Sequence, residues 1–281
     1  MENDVFVLIF GATDGAYALA HAFFHDYGIR STVVDEDAPF YVRESAALTY
    51  ERVTGLADGR MLLLTAERFY EKHSGKSLFL IAAREEYAAV AEADRARLET
   101  MFFIPRLHRG NVALKNAKGL LFAYRSAERE SCVAYGRVAA YDGEGLPTVV
   151  LAEAAPKTDA FDLPTRGVAL LAEGEDGRFA PVGEPICSHL FFLTAADVSL
   201  PELLINDYVL CEALPKEETV RGAFSLYPYQ RLKSRVLPSL RAEADRRANR
   251  GMATALFCCR REKGWRLRLR LASLIKEKTK K

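Results

Sequence analysis

The sequence predicts an α/β fold in two units: a Rossmann-like parallel-sheet domain over residues 1–108, then a smaller α+β module over 109–216. A basic helical tail is expected over 217–281. Three observations carry that expectation. The first apolar run leads through a glycine turn and an apolar helix pattern into a second β-branched run, a β-turn-α-β opening. Strand and helix patterns keep alternating as far as Pro105. Beyond Gly119 the alternation gives way to strands joined by tight turns, with little helix between them.

Val5–Phe10 is a continuous β-branched and aromatic run, as expected of a strand buried on both faces of a parallel sheet. Gly11-Ala12-Thr13-Asp14-Gly15 then forms a turn, and Ala16, Leu19, Ala20, Phe23 and Phe24 recur at helical spacing until Gly28 stops the helix. Ser31–Val34 is the second strand, ending in Asp35-Glu36-Asp37. Met61–Leu64 reads as a short apolar run, Ala66–His73 as a helix, Ser77–Ile81 as a buried strand, Glu85–Glu99 as a long helical stretch and Met101–Ile104 as a strand. In the second unit Gly119–Tyr124, Ser131–Ala140 and Thr148–Ala152 read as strands. Val168–Ala172 and Phe179–Val182 form a hairpin across Glu175-Asp176-Gly177. The tail is expected to be helical from about 217 through Arg231–Arg250 and to break at Gly251.

At 281 residues with 49% apolar and 27% charged side chains, the chain has material for a real core, which excludes disordered and fibrous classes. Lys+Arg 39 against Asp+Glu 38 leaves a net charge of +1, so no nucleic-acid partner is expected. Five scattered cysteines without a CxxC pair predict reduced, buried thiols. Glu2 and Asp4 stand where a signal peptide carries positive charge, and no apolar run reaches the roughly 20 residues of a membrane span. A cytoplasmic protein is expected.

Two segments suggest chemistry. The turn Gly11–Gly15 opens a helix, and free amides with the helix dipole make such a turn an anion site; Gly11, Thr13, Asp14 and Gly15 are the candidate substrate-binding residues. A dinucleotide reading would add Asp35 as the ribose acid, but the GxGxxG spacing is absent and Asp14 repels a pyrophosphate. From Arg260 onward ten cationic side chains face two acidic ones, a net +8 on a body of about −7. This admits peripheral contact with an anionic membrane through Lys276–Lys281, while Leu267, Leu269 and Leu271, at spacing two, predict packing against the body. His21 and His25 lie one helical turn apart, but no acid or thiol completes a metal site.

Phe10–Ala20 with His25–Ser31 matches the start of a domain that Ser77–Ile81, Tyr87 and Phe103-Ile104-Pro105 would close. Asp176–Phe179 through Glu184, then Asn206–Val209, and finally Trp265–Arg268 continue the match. These stretches resemble the ATP-grasp carboxylate–amine ligases, particularly the bacterial branch near D-aspartate ligases. The resemblance implies a Rossmann-like pre-ATP-grasp domain plus a shortened α+β ATP-grasp C-lobe, and a small-molecule carboxylate or amine as ligand. It also implies ATP and magnesium as cofactors wherever the chemistry survives.

Departures decide the functional expectation. Family members carry, after the position of Pro105, a subdomain whose lysines hold the nucleotide; here only Lys115 and Lys118 lie nearby. The family's metal site needs an acid on one hairpin strand and Glu-x-Asn on the next. In this chain the first acid falls at or near Ala169, Glu184 remains as a vestigial metal ligand, and the Asn position reads Ile186. Glu173 or Glu175 supplies the missing acid only if the register shifts. The expectation is a degenerate ATP-grasp-like protein with no catalytic residue and no cofactor, and with a ligand-binding or regulatory role. The alternative is an ATP-dependent ligase acting through an acyl-phosphate, completed by a protein partner or a second copy.

Overall fold

The computed structural model describes residues 4–141, 144–155, 163–187, 193, 198–214 and 222–225. The first sheet is parallel, with strands β1 (Val5–Phe10), β2 (Ser31–Asp35), β3 (Leu48–Arg52) and β4 (Ser77–Ala82) in the order β3-β2-β1-β4. β1 is central, and its side chains divide between the two faces with period two. Val7 and Ile9 meet α1 (Asp14–Tyr27) through Ala16, Ala20 and Phe23. Leu8 and Phe10 instead meet Leu62, Ala66, Phe69 and Tyr87 of α3 (Gly59–Lys72) and α4 (Glu85–Ala93), which follow the short α2 (Phe40–Arg43). Burial on both faces is why β1 and β4 are apolar at almost every position.

Helix α1 starts and stops where the sequence places it. Thr13 caps its first turn by accepting a hydrogen bond from Ala16 N, and Gly28, at φ +67°, closes its end with N–H bonds to Phe24 O and, from Ile29, to Phe23 O. Inside it, His21 is 1% exposed; its ring lies against Tyr17, Nε2 is 3.3 Å from Ser45 Oγ, and Nδ1 has no partner. Burial, helped by His25, pushes its pKa down to about 3. Between about pH 3 and 6.5 the unfolded chain therefore holds a proton that the folded chain does not. Stability falls on acidification through this window, by about 1.4 kcal/mol per pH unit. Urea denaturation at pH 7.5 and pH 5 should show this as an acid loss about 2 kcal/mol larger in the native chain than in His21→Leu.

Several expectations need correction. Met61–Leu64 is part of α3, whose cap is Asp58, so the apolar run and the following helix are one element. β3 was not anticipated, because only Leu48 of its five residues is buried and an edge strand leaves little apolar pattern. Met101–Ile104 is not a strand: Phe103 forms a single bridge to Phe79, and Pro105 prevents the ladder from continuing. The helical stretch after Glu85 divides at Asp94 into α4 and α5 (Arg95–Leu98).

The second sheet has β5 (Leu107–His108), β6 (Gly119–Arg125), β7 (Ser131–Tyr141), β8 (Pro147–Glu153), β9 (Gly167–Glu173), β10 (Phe179–Pro181) and β11 (Gly222–Ser225). The order is β10-β9-β6-β7-β8-β11, antiparallel, and β5 pairs with β9 in parallel. Leu120, Phe122, Tyr124, Val168 and Leu170 point to one face and merge with the α1 side of the first unit into a single core, joined by α6 (Leu200–Ile205). Leu121, Ala123, Ala169 and Leu171 point to the other face, against Leu163. α6 gave no helical signal because five of its six residues are buried, which erases periodicity.

A second buried polar group ties the units together. Asp207 accepts from Tyr124 OH, Ala127 N and Arg166 Nε, and Arg166 lies 3.4 Å over the Tyr208 ring, which packs on Phe79 and Phe103. Burial and the Asp207 carboxylate push the Tyr124 phenol pKa upward, so this hydroxyl stays a donor.

At Gly222–Ser225 the tail forms β11 against β8, so the expected helix from about 217 does not hold at these residues. Arg231–Arg250, Cys258-Cys259, Trp265–Leu271 and Lys276–Lys281 lie outside the described residues. Of the thiols expected to be buried, Cys132 is, Cys187 is half-buried and Cys211 is exposed. Among the described residues no helix is long and apolar enough to cross a membrane.

Candidate functional site

In a sheet ordered β3-β2-β1-β4 the strand order reverses between β1 and β4, and folds of this kind place ligands beyond the carboxyl ends of the strands at such a point. The turn Gly11–Gly15 occupies that place. Gly11 takes φ +101°, and a Cβ there would sit 2.7 Å from Arg84 Cγ, so glycine is required on both counts. The Ala12 amide is already used, donating to Asp35 Oδ2 at 2.7 Å. Thr13 and Asp14 are partly exposed, whereas Gly11 and Gly15 are buried.

Asp35 is 1% exposed and fully engaged. Besides Ala12 N, it accepts from Glu36 N and from Tyr87 OH, each at 2.8 Å, and Arg84 Nε lies 2.9 Å from Oδ2. The Arg84 N–H is not aligned on that oxygen, so this contact is an ion pair rather than a hydrogen bond, and the buried Nε has no aligned acceptor. Burial and the Asp35 carboxylate push the Tyr87 phenol upward, keeping it a donor. A carboxylate 1% exposed, with three hydrogen bonds and an arginine packed on it, leaves no face open to a ribose hydroxyl. The dinucleotide reading of Asp35 is set aside on that ground.

The second unit roofs this mouth. A Cβ on Gly15 would stand 2.0 Å from Ile186 O and 2.7 Å from Cys187 Cα, so the first turn of α1 rests directly on the backbone of loop 183–187. The other end of that loop is held by Arg109, which donates from one terminal nitrogen to Gly183 O and from the other to Ala82 O, each at 3.1 Å. Burial lowers the Arg109 pKa, and Glu184 and Glu85 act against that shift.

Glu184 is exposed within this loop. Ile186 is 2% exposed and Ala169 0%, both within apolar clusters. Glu173 cannot complete a site with Glu184. Phe179 pairs with Glu173 at one end of the β9–β10 hairpin, while Val182 bonds Leu170 at the other end, two residues before Glu184. Three strand residues, roughly 10 Å, already separate Glu173 from Leu170, so the two carboxylates sit toward opposite ends of the hairpin. Glu173 instead accepts from Tyr135 OH at 2.7 Å. Lys118 donates to Glu175 O, and Lys115 is exposed. Among the described residues no three His, Cys, Asp or Glu side chains gather to hold a metal ion. A lone carboxylate whose two expected companion positions are the buried apolar Ala169 and Ile186 does not fit a Mg²⁺ site, which needs several oxygen ligands. His21 and His25 do not converge either; His25 is exposed and pairs with Asp26.

The structure thus sets Gly11, Thr13, Asp14 and Gly15 at the carboxyl end of β1, with Gly15 against the 183–187 loop that carries Glu184. Sequence reasoning missed Arg84, Tyr87 as a donor, and Arg109. Arg84 had a positional signal, two residues past a buried strand; Arg109 had none.

No family model matches this sequence, and no curated protein is similar to it. Solved structures superpose on it in part. An L-amino acid ligase from Bacillus licheniformis superposes with a TM-score of 0.49 at 11% identity, covering 81% of this chain and 82% of that one. Glycinamide-RNase-transformylase T from Mycobacterium tuberculosis gives 0.47 at 15%, over 89% and 99%. The phosphoribosylaminoimidazole carboxylase ATPase subunit from Aquifex aeolicus gives 0.46 at 12%, over 78% and 81%.

Proposed function

We propose that this chain is a shortened ATP-grasp-like protein that binds a small carboxylate or amine ligand at the mouth around Gly11–Gly15 and does not catalyse ATP-dependent ligation. The observation that carries the reading is the chemistry around Glu184. The positions that the sequence resemblance assigns to its companion metal ligands are Ala169 and Ile186, both buried and apolar. A kinship with D-aspartate ligases in particular rests on the residue matches alone. Titration calorimetry with Mg²⁺–ATP on the full chain is expected to give no binding in the micromolar range; micromolar affinity overturns the reading.

The second reading is an ATP-dependent carboxylate–amine ligase working through an acyl-phosphate. It is favoured by the order of the units, a Rossmann-like sheet followed by an antiparallel sheet whose last hairpin leads to Glu184. ADP release on adding amino acids, alone or with a partner chain, would establish it.

A further inference from the structure

Arg109 is a half-buried cation held by carbonyls. Its two hydrogen bonds go to Gly183 O and Ala82 O, and among the described residues no carboxylate comes within ion-pair distance of it. Two bonds leave the rest of its five N–H donors unspent on described residues. Glu184 and Glu85 act on it only through space, and both are exposed, so water and salt weaken their hold. Backbone carbonyls supply dipoles but no countercharge, and a cation drawn partly out of water without one is a costly arrangement.

A second guanidinium stands at the same strand end. Arg109 grips the carbonyl of Ala82, the last residue of β4, and Arg84 follows two residues later with a buried Nε that has no aligned acceptor. The first turn of α1 opens beside them, since Arg84 lies against Gly11 and loop 183–187 runs from Arg109 to Gly15. Two cations and a helix start favour negative charge, and the same charges repel a divalent cation.

We propose that Arg109 is the anchor for an oxyanion, a carboxylate or phosphate group, which binds at this mouth without a divalent metal. The proposal rests on the reading that the ligand site is the Gly11–Gly15 mouth. The planar fork of arginine matches two oxygens of such a group, which lysine does not. Glu184 acts against the ligand: it shares the field of Arg109 and weakens anion binding, the reverse of a metal ligand's role.

The test uses the full chain in EDTA, titrated by calorimetry with inorganic phosphate and, separately, with succinate. Backbone amide resonances are followed in parallel. The expected result is saturable binding of at least one probe, unchanged when Mg²⁺ replaces EDTA, with shifts at Thr13–Gly15 and Gly183. Arg109→Met should weaken that binding at least tenfold, and Glu184→Gln should tighten it severalfold. If Thr13–Gly15 shift but Arg109→Met binds within twofold of the native chain, the Arg109 assignment falls while the mouth stands. If neither probe moves those amides, the anion site falls, and a mouth that takes only an amine remains to be read from an amine titration. Should Arg109→Met fail to fold by circular dichroism, Glu184→Gln decides, and unchanged or weaker affinity overturns the proposal.

Discussion

Gly15→Ala is expected to destabilise the protein by about 1–3 kcal/mol, with a corresponding drop in the urea midpoint. The sign is the informative part. Gly15 lies in the first turn of α1, where alanine ordinarily improves a helix by up to about 1 kcal/mol. Here the added methyl would stand 2.0 Å from Ile186 O and 2.5 Å from its carbonyl carbon. These are backbone atoms, so no side-chain rotation relieves the collision, and either α1 or loop 183–187 must move. The same loop is tied to Arg109, so the shift also strains the Gly183 contact. Gly75→Ala is the control for backbone strain: Gly75 has φ +78° and nothing within 4 Å, so its cost is conformational alone. A stabilised Gly15→Ala variant would mean that the two units do not touch here.

Removing the Asp35 carboxylate is the second large effect. Asp35→Ala is expected to cost about 3–5 kcal/mol, because it strands the Ala12 and Glu36 amides, the Tyr87 hydroxyl and the Arg84 guanidinium together. Asp35→Asn should cost less, since one oxygen still accepts, but its amide nitrogen must face a donor. Tyr87→Phe breaks only the hydroxyl contact and should cost about 1 kcal/mol. Equilibrium denaturation of the three variants should rank them in that order. Near-equal losses in Asp35→Ala and Tyr87→Phe would show that the carboxylate is held mainly by the tyrosine. Because Asp35 also positions Arg84 at the mouth, the alanine variant should alter anion binding there as well.

The first unit is legible in the sequence because its signals are local. Val5–Phe10 and Ser77–Ala82 are buried on two faces, so their apolar character needs no knowledge of what covers them. Thr13 and Gly28 bound α1 through hydrogen bonds made within a few residues. β3, by contrast, buries only one residue and exists because β2 offers a free edge, and α6 is buried on too many sides to show a period. Phe103 reaches the sheet for two hydrogen bonds and then leaves it at Pro105.

The site divides along the same line. The sequence by itself determined the glycine turn at the end of β1, the acid at the end of β2, and the apolar residue at position 186, each a matter of chain spacing and side-chain type. Tertiary structure decided what they do. Asp35 looked available for a ligand, yet four contacts, two of them from α4 and its approach, consume it. Gly15 looked like an open substrate contact, yet a loop some 170 residues away in the chain rests on it. Arg109 carried no pattern at all, and its partners Ala82 and Gly183 lie 27 and 74 residues away. Periodicity and capping arise from interactions within a turn or a strand, so residue order encodes them directly. Whether a polar group is spent or free depends on which distant segments pack against it, and only the folded chain brings those segments together.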